Sequence, residues 1–405
     1  MRAADRDPVA DFYDANPYPP PVEDLDGEIT AWADGHRRRV EHARLWPSLP
    51  FREDHSILVA GCGTFQAGRY GVRYPNASVV GIDVSAASVA ATRHLIERHG
   101  LANVEVRLLP IEEVGSLGRS FDHVVCTGVL HHLVDPLVGL RALRAVMAPE
   151  GALHLMLYAT YGRAGIAIIQ EYCRRLGVTP TSTEIGDLVS TLRELPIGHP
   201  IGELLQNSPD FADDGALADA LLNPRDRSYT VPELLDLLDR ASMRFGRWVR
   251  QAPYRPQCGA MSATPHAARI AALAEPEQFA AMELFRSTML RHSVIAHLAD
   301  ALAPDPAIRW DDDAWAAYVP IRPSTIATVE ERLPPGVSAA LINRAHTERD
   351  LVFLADDATR RAFESVDGLT PLGEIPDADP EMFHRLWMHD LVMIDASQAT
   401  SRRRG

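Results

Sequence analysis

Lysine is absent from this 405-residue chain, and all forty of its basic residues are arginine. That excludes chemistry built on an ε-amino group: the Schiff base of pyridoxal phosphate enzymes, lysine-type aldolases, and phosphate binding by a P-loop lysine. Cysteine is scarce. Cys62, Cys126, Cys173 and Cys258 lie far apart with no CxxC, so no disulfide framework is encoded and reduced thiols are expected. No apolar run reaches about eighteen residues, the length a membrane-spanning helix needs. The opening MRAADRDPVADF alternates in charge and lacks the apolar stretch of a secretory signal, so a cytoplasmic location is expected. The net charge of −15 argues against broad binding to nucleic acid or anionic membranes.

What is present is ordinary for globular protein: 46% hydrophobic and 23% charged residues, on a length that fits two or three domains. Residues 1–50 read as a proline-stiffened arm, DFYDANPYPPP, then a helix over about 29–45. From Ser56 the texture changes. SILVAG, ASVVGID, VEVRLL, FDHVVCTG and GALHLMLYA are short Val/Leu-rich runs, apolar on both faces, separated by helix-like stretches. That is the pattern of buried parallel strands in a doubly wound α/β sheet. Residues 161–227 read as a helical insertion, and 228–260 as the return of the chain to the sheet, with Thr230, Pro232 and Glu233 opening a helix. Everything from 261 to 405 reads as a separate C-terminal domain.

The informative stretch is SILVAGCGTFQAG. A strand ends at Ala60, and Gly61-Cys62-Gly63 turns the chain into the next helix, where a ligand can approach a backbone without Cβ atoms. Twenty residues after Gly63, Asp83 ends the second strand, where a carboxylate accepts hydrogen bonds from ribose hydroxyls. This much specifies an adenosine-containing cofactor. A nicotinamide dinucleotide site wants G-x-G-x-x-G, and Gln66 stands at the third position.

Downstream, SFDHVVCTGVLHHLVDPLVGLRALRAVMAPEGALHLMLY, taken with AGCGT and GID, resembles class I S-adenosylmethionine-dependent methyltransferases over residues 56–160. The resemblance implies a Rossmann-like sheet of seven strands and S-adenosylmethionine as cofactor. It implies that Gly61, Cys62 and Gly63 face the methionyl and ribose part, Asp83 the ribose hydroxyls, and Val84 and Ile111 the adenine; Pro110 stands where the family has the acid that meets the adenine amino group, and nearby Glu112 is the candidate to replace it. Thr127 and Gly128 would lie near the sulfonium, with His131 or His132 beside it as a base. The sequence departs from the family at Val59, Phe65 and Pro110. The Asn-Pro-Pro-Tyr tetrad of amide and base-amine methylation is replaced by Cys126-Thr127-Gly128-Val129, which argues against those acceptors.

Tyr13 and Tyr18 on the arm, and Arg225, Arg227 and Tyr229 before the return helix, are candidate substrate contacts. Sixteen histidines show no HxxxH or HExxH spacing, so no metal site is expected. Residues 346–395 loosely resemble small winged-helix modules, and the C-terminal domain is expected to be mainly helical. Lacking a basic recognition helix, it suits a protein partner or dimer contact better than DNA. The expected function is methyl transfer to a small molecule or to a peptide or protein side chain. A methyltransferase-like binding scaffold is the alternative, and a nicotinamide-dependent oxidoreductase a third reading.

Overall fold

The computed structural model describes residues 7–207, 211, 213–300, 308–310 and 313–404. The first six residues of the expected arm, positions 208–210 and 212 of the expected insertion, and the side chains of residues 401–404 lie outside that description.

Five strands come first along the chain. They are β1 (Ser56–Ala60), β2 (Ser78–Asp83), β3 (Val104–Leu108), β4 (Phe121–Thr127) and β5 (Met147–Tyr158). Their pairing is parallel throughout, β1 with β2 and β4, β2 with β3, and β4 with β5. With β6 (Met243–Trp248) and β7 (Arg291–Leu298) the sheet has seven strands in the order β3-β2-β1-β4-β5-β7-β6. The chain winds outward from β1 to β3 and then restarts at β4. The carboxyl ends of β1 and β4 therefore flank a topological switch point, where such sheets bind ligands.

Local chemistry fixes the connecting helices. Ser85 caps Ala86–His99 by accepting from Ser88 N–H, and Gly100 closes it at φ +60°. Asp135 caps Pro136–Ala145, and a full Thr230–Glu233 capping box opens Val231–Arg240. Helices Ala164–Leu176, Ser182–Leu192 and Asp214–Leu222 share an apolar cluster that includes Ile166, Leu188, Leu217 and Phe12 of the arm.

The sequence misreads two places. The single helix expected over 29–45 is two, Asp26–Ala31 and His36–Leu45, broken ahead of Gly35. A glycine lacks the helix propensity to carry the chain through. The strand at 291–298 joins the main sheet although 261–405 reads as separate; HSVIAHL is buried on both faces and so takes an inner place.

The chain divides into two compact units: residues 1–31, 54–243 and 287–292, and residues 32–53, 244–286 and 293–405. Within the second, strands β9 (Ile326–Val329), β10 (Ala339–Asn343) and β11 (Val352–Ala355) pair antiparallel, and β8 (Val319–Ile321) pairs with β12 (Met393–Asp395). Phe353, Phe363, Phe383 and Leu386 form its core. The segment is thus mixed rather than mainly helical. No helix among the described residues is long and apolar enough to cross a membrane.

Candidate active site

A cavity of about 540 Å³ opens at the switch point, and its described lining belongs to the first unit. Its floor is the β1 turn. Gly61 and Gly63 sit at φ +69° and +55°, a region that L side chains rarely adopt. A Cβ on Gly61 would come within 2.3 Å of Val129 Cγ2. The turn is held by the Gly61 and Cys62 N–H groups, which donate to Ile82 O at 2.8 and 2.9 Å.

Asp83 ends β2 with each carboxylate oxygen already accepting one backbone N–H, Oδ2 from Gly63 at 2.8 Å and Oδ1 from Ser85 at 2.9 Å. A carboxylate has about four acceptor positions, so capacity remains for two hydroxyls. Burial raises its pKa, and the amides of Ser85, Gly63 and Val84 pull in the opposite direction. Cys62 is buried in the same turn. Burial and the neighbouring Asp83 push its thiol well up, which leaves it a small filler and no nucleophile.

Val84, Ile111, Glu112, Thr127 and Gly128 all line the cavity. Thr127 Oγ1 accepts from Gln66 Nε2 at 2.9 Å, so the residue that spoils the dinucleotide fingerprint braces the β4 tip instead. The arm closes over this floor. Thr64 Oγ1 donates to Pro19 O at 2.7 Å, and Tyr13 and Tyr18 line the cavity.

The two histidines differ in setting, although their ring centroids lie 4.2 Å apart. His132 lines the cavity, with Nδ1 2.6 Å from Arg225 O, while Nε2 is buried with no hydrogen-bond partner. His131 is absent from the described lining. It is fully buried, stacks against Tyr158 at 4.1 Å between ring centroids, and has neither ring nitrogen bonded. Burial, His132 and Arg163 hold its pKa well below the usual imidazole range.

Two expected substrate contacts lie elsewhere. Arg227 pairs with Glu233 at 3.6 Å and stacks on Tyr229, and both line a separate hollow of about 130 Å³ with Asp135 and Asp236. The β-bridge between Tyr229 and Ala159 pins that segment. Arg225 is the arginine that reaches toward the site, donating to His132 O at 3.0 Å.

Sequence reasoning missed the far wall of Tyr158, Arg163 and Asp219. A signal was present for Asp219, a lone acid inside the apolar helix ALADALL, and Tyr158 stands at a strand tip. His131, His132 and Asp226 also bring one potential metal-ligand atom each within 4.8 Å of one another, a cluster that motif spacing did not suggest. Asp226 Oδ2 already accepts from Arg163 at 3.0 Å and Gln170 at 2.8 Å, and a guanidinium so placed opposes a cation.

Residues 58–153 match the family model described as a methyltransferase domain. An uncharacterized Synechococcus protein is 37% identical over 166 residues, 40% of this chain and 39% of that one. A tRNA U34 carboxymethyltransferase of Desulfotalea psychrophila is 30% identical, covering 32% of this chain and 40% of its own length. A ubiquinone biosynthesis O-methyltransferase of Acinetobacter baylyi is also 30% identical, over 24% and 40% respectively. The chain thus spans about two fifths of the length of the curated relatives it matches. The fold matches PKMT2 from Rickettsia typhi with a TM-score of 0.61 at 16% identity, covering 86% of this chain and 68% of that one. The same protein solved in complex with AdoHcy matches at 0.60 and 14% identity, over 88% and 74%. Residues 58–153, set in this seven-stranded sheet, thus carry a methyltransferase domain, and the chain is similar there to the class I S-adenosylmethionine-dependent methyltransferases.

Proposed function

We propose that this chain methylates a hydroxyl-bearing acceptor of small-molecule or peptide character, with His132 as the base. The observation that carries the reading is the state of the His132 ring. A carbonyl only accepts, so the 2.6 Å contact with Arg225 O places the hydrogen on Nδ1. With the hydrogen on Nδ1, it is Nε2 that offers the ring's lone pair, and Nε2 has no other partner among the described residues. A hydroxyl begins protonated and must lose that proton as it attacks, and an imidazole is suited to take it near neutrality.

The residues present fit the cofactor. Asp83 has acceptor capacity for ribose hydroxyls, the Gly61–Gly63 turn borders the cavity with no Cβ at either glycine, and Val84 with Ile111 offers an apolar slot. When bound, S-adenosylmethionine supplies a methyl group on a positively charged sulfur. The chain's own work is positioning, which supplies much of the rate in an in-line displacement. Gln66 braces Thr127 at the β4 tip, and Tyr18 and Pro19 cover the turn and exclude water. His132 takes the acceptor proton at Nε2. Asp219, whose pKa His132 lowers against the effect of burial, stabilises the resulting imidazolium. The −15 net charge favours an uncharged acceptor, as in O-methylation, over a polyanion such as tRNA.

Calorimetric titration with S-adenosylhomocysteine, with NAD in parallel, tests the cofactor assignment. Micromolar binding lost in Asp83→Ala supports it; binding of NAD alone overturns it, and binding of neither moves the protein to the scaffold reading. For the base, His132→Asn should keep cofactor affinity and lose roughly 10²–10⁴ in turnover of labelled methyl donor. Retained turnover with an unchanged pH profile would remove His132 from the role.

A further inference from the structure

The second compact unit holds a cavity of its own, about 630 Å³, and its described lining belongs to that unit. That volume lies within the range typical of small-molecule sites.

Its wall is rich in hydrogen-bond donors. Arg44, Arg247 and Arg255 line it, and each has a carboxylate partner: Glu41, Asp390 at 3.1 Å and Glu275 at 2.7 Å. What remains unmet is all of one kind. Arg255 Nε and the indole nitrogens of Trp310 and Trp387 are buried, and none has a hydrogen-bond partner among the described residues. All three side chains line this cavity. Guanidinium and indole N–H groups donate only, so what they lack is an acceptor. Buried donors left unmet cost stability, and three around one cavity call for an explanation.

The other half of the wall is aromatic. Trp310 stacks on His384 at 5.4 Å and 14°, and Trp387 lies 5.8 Å from His384. Arg247 sits 5.6 Å from the Trp387 ring centroid. Burial and the nearby Arg255 lower the His384 pKa, which favours the neutral ring. Burial brings Arg247 down to about 10, still charged at that pH.

We propose that this cavity binds a small carboxylic acid carried on a flat ring. The ligand's oxygens accept from Arg255 Nε and the two indole N–H groups, and its ring lies against Trp310, His384 and Trp387. Three single donors on three separate side chains suit a monoanion. Glu275 at the wall carries its own carboxylate, which opposes a phosphate dianion more strongly than a carboxylate monoanion. The inference is independent of the methyl-transfer reading, since no residue of the first unit enters it.

The test uses the full chain, tryptophan fluorescence and thermal shift. The probes are indole-3-carboxylate, cyclohexanecarboxylate, neutral indole, AMP and inorganic phosphate. Indole-3-carboxylate should bind saturably and raise Tm, and cyclohexanecarboxylate and indole should each bind at least tenfold more weakly. Trp387→Phe and Trp310→Phe keep a ring and remove the N–H, and Arg255→Met removes the guanidinium. Each should weaken indole-3-carboxylate at least tenfold, while the ligand-free Tm of the two Phe variants holds or rises. No saturable binding of the acid, equal binding of neutral indole, tighter binding of AMP or phosphate, or variants without effect on affinity would each overturn the proposal.

Discussion

Tyr13 donates its phenolic hydrogen to Asp219 Oδ1 at 2.7 Å across 206 positions of sequence, tying helix Pro8–Ala15 to helix Asp214–Leu222 at the cavity wall. Asn223 Nδ2 donates to the Tyr13 hydroxyl at 3.0 Å and to Asp219 Oδ1 at 3.3 Å, and the Tyr158 hydroxyl donates to Oδ2 at 3.3 Å. Burial, then the charge of Asp219, pushes the Tyr13 hydroxyl well above its ordinary pKa. Burial also raises Asp219, against the opposing pull of His132, Tyr13 and Asn223.

Tyr13→Phe removes a donor from a buried carboxylate and should cost about 1–3 kcal/mol of stability. The loss should be smaller in an Asp219→Asn background, where no charge is left short of a partner. The pH dependence has a definite sign. A carboxyl whose folded pKa is raised binds more protons folded than unfolded, so its contribution is fully present below about pH 4 and is lost as pH rises through the folded value. Asp219→Asn should therefore lose less stability at pH 7 than at pH 4, as measured by urea titration at the two values.

His131 offers the reverse experiment. Both of its ring nitrogens are buried without partners, and its pKa is held well down. Replacing an unsatisfied polar ring by an apolar side chain removes a desolvation cost. His131→Leu should hold or raise Tm and keep cofactor affinity, whereas His132→Asn should spare Tm and lose turnover. Equal loss of turnover in both would show that the pair acts as a unit.

The contrast explains what the sequence could and could not reveal. Gly61, Gly63 and Asp83 are legible because their places in the fold are set locally, by a strand end, a turn and a fixed spacing. The histidines were legible as a pair but not individually. They sit on a single 3₁₀ turn at Leu130–His132, where successive side chains diverge by about 120°. Asp219 was hidden because its partners are remote, Tyr13 lying 206 positions away. Arg227 and Tyr229 could not be placed from the sequence because a charged, aromatic stretch looks the same whether it faces a ligand or pairs with Glu233. Strand β7 was missed because it follows β6 only after a long helical excursion, so no alternation announces it.

The Gly61 turn makes a steric prediction. Gly61→Ala must both adopt φ +69° and displace Val129, whose Cγ2 would lie 2.3 Å from the new Cβ. Left-handed backbone at an ordinary residue costs about 1–3 kcal/mol, and the clash adds to it. Cofactor affinity should fall with stability, because the same turn forms the cavity floor. Adding Val129→Ala should recover the steric part and leave the backbone part. Differential scanning calorimetry of the single and double variants separates the two. Full recovery in the double variant would mean that the conformational cost is negligible.

Asp390 should make the second unit acid-labile. Its buried carboxylate accepts from the backbone N–H of Gln251 at 2.7 Å and of Ala252 at 3.0 Å, and it pairs with Arg247 at 3.1 Å and His346 at 3.2 Å. Burial alone would raise its pKa. The hydrogen bond and charge of His346, then Arg247 and the Ala252 amide, outweigh that and hold it below the ordinary carboxylate range. A depressed folded pKa contributes stability above about pH 4, and that contribution disappears as pH falls through the folded value. Asp390→Asn keeps the shape but strips the partner from buried Arg247, and breaking a buried pair in this way costs about 3–5 kcal/mol. The variant should therefore be strongly destabilised at pH 7, with the difference from wild type shrinking as pH approaches 3. Arg247→Met/Asp390→Leu removes both charges together and should be less destabilised than Asp390→Asn. If the double variant is the worse of the two, the hydrogen bonds to Gln251 and Ala252, and not the ion pair, are what Asp390 supplies.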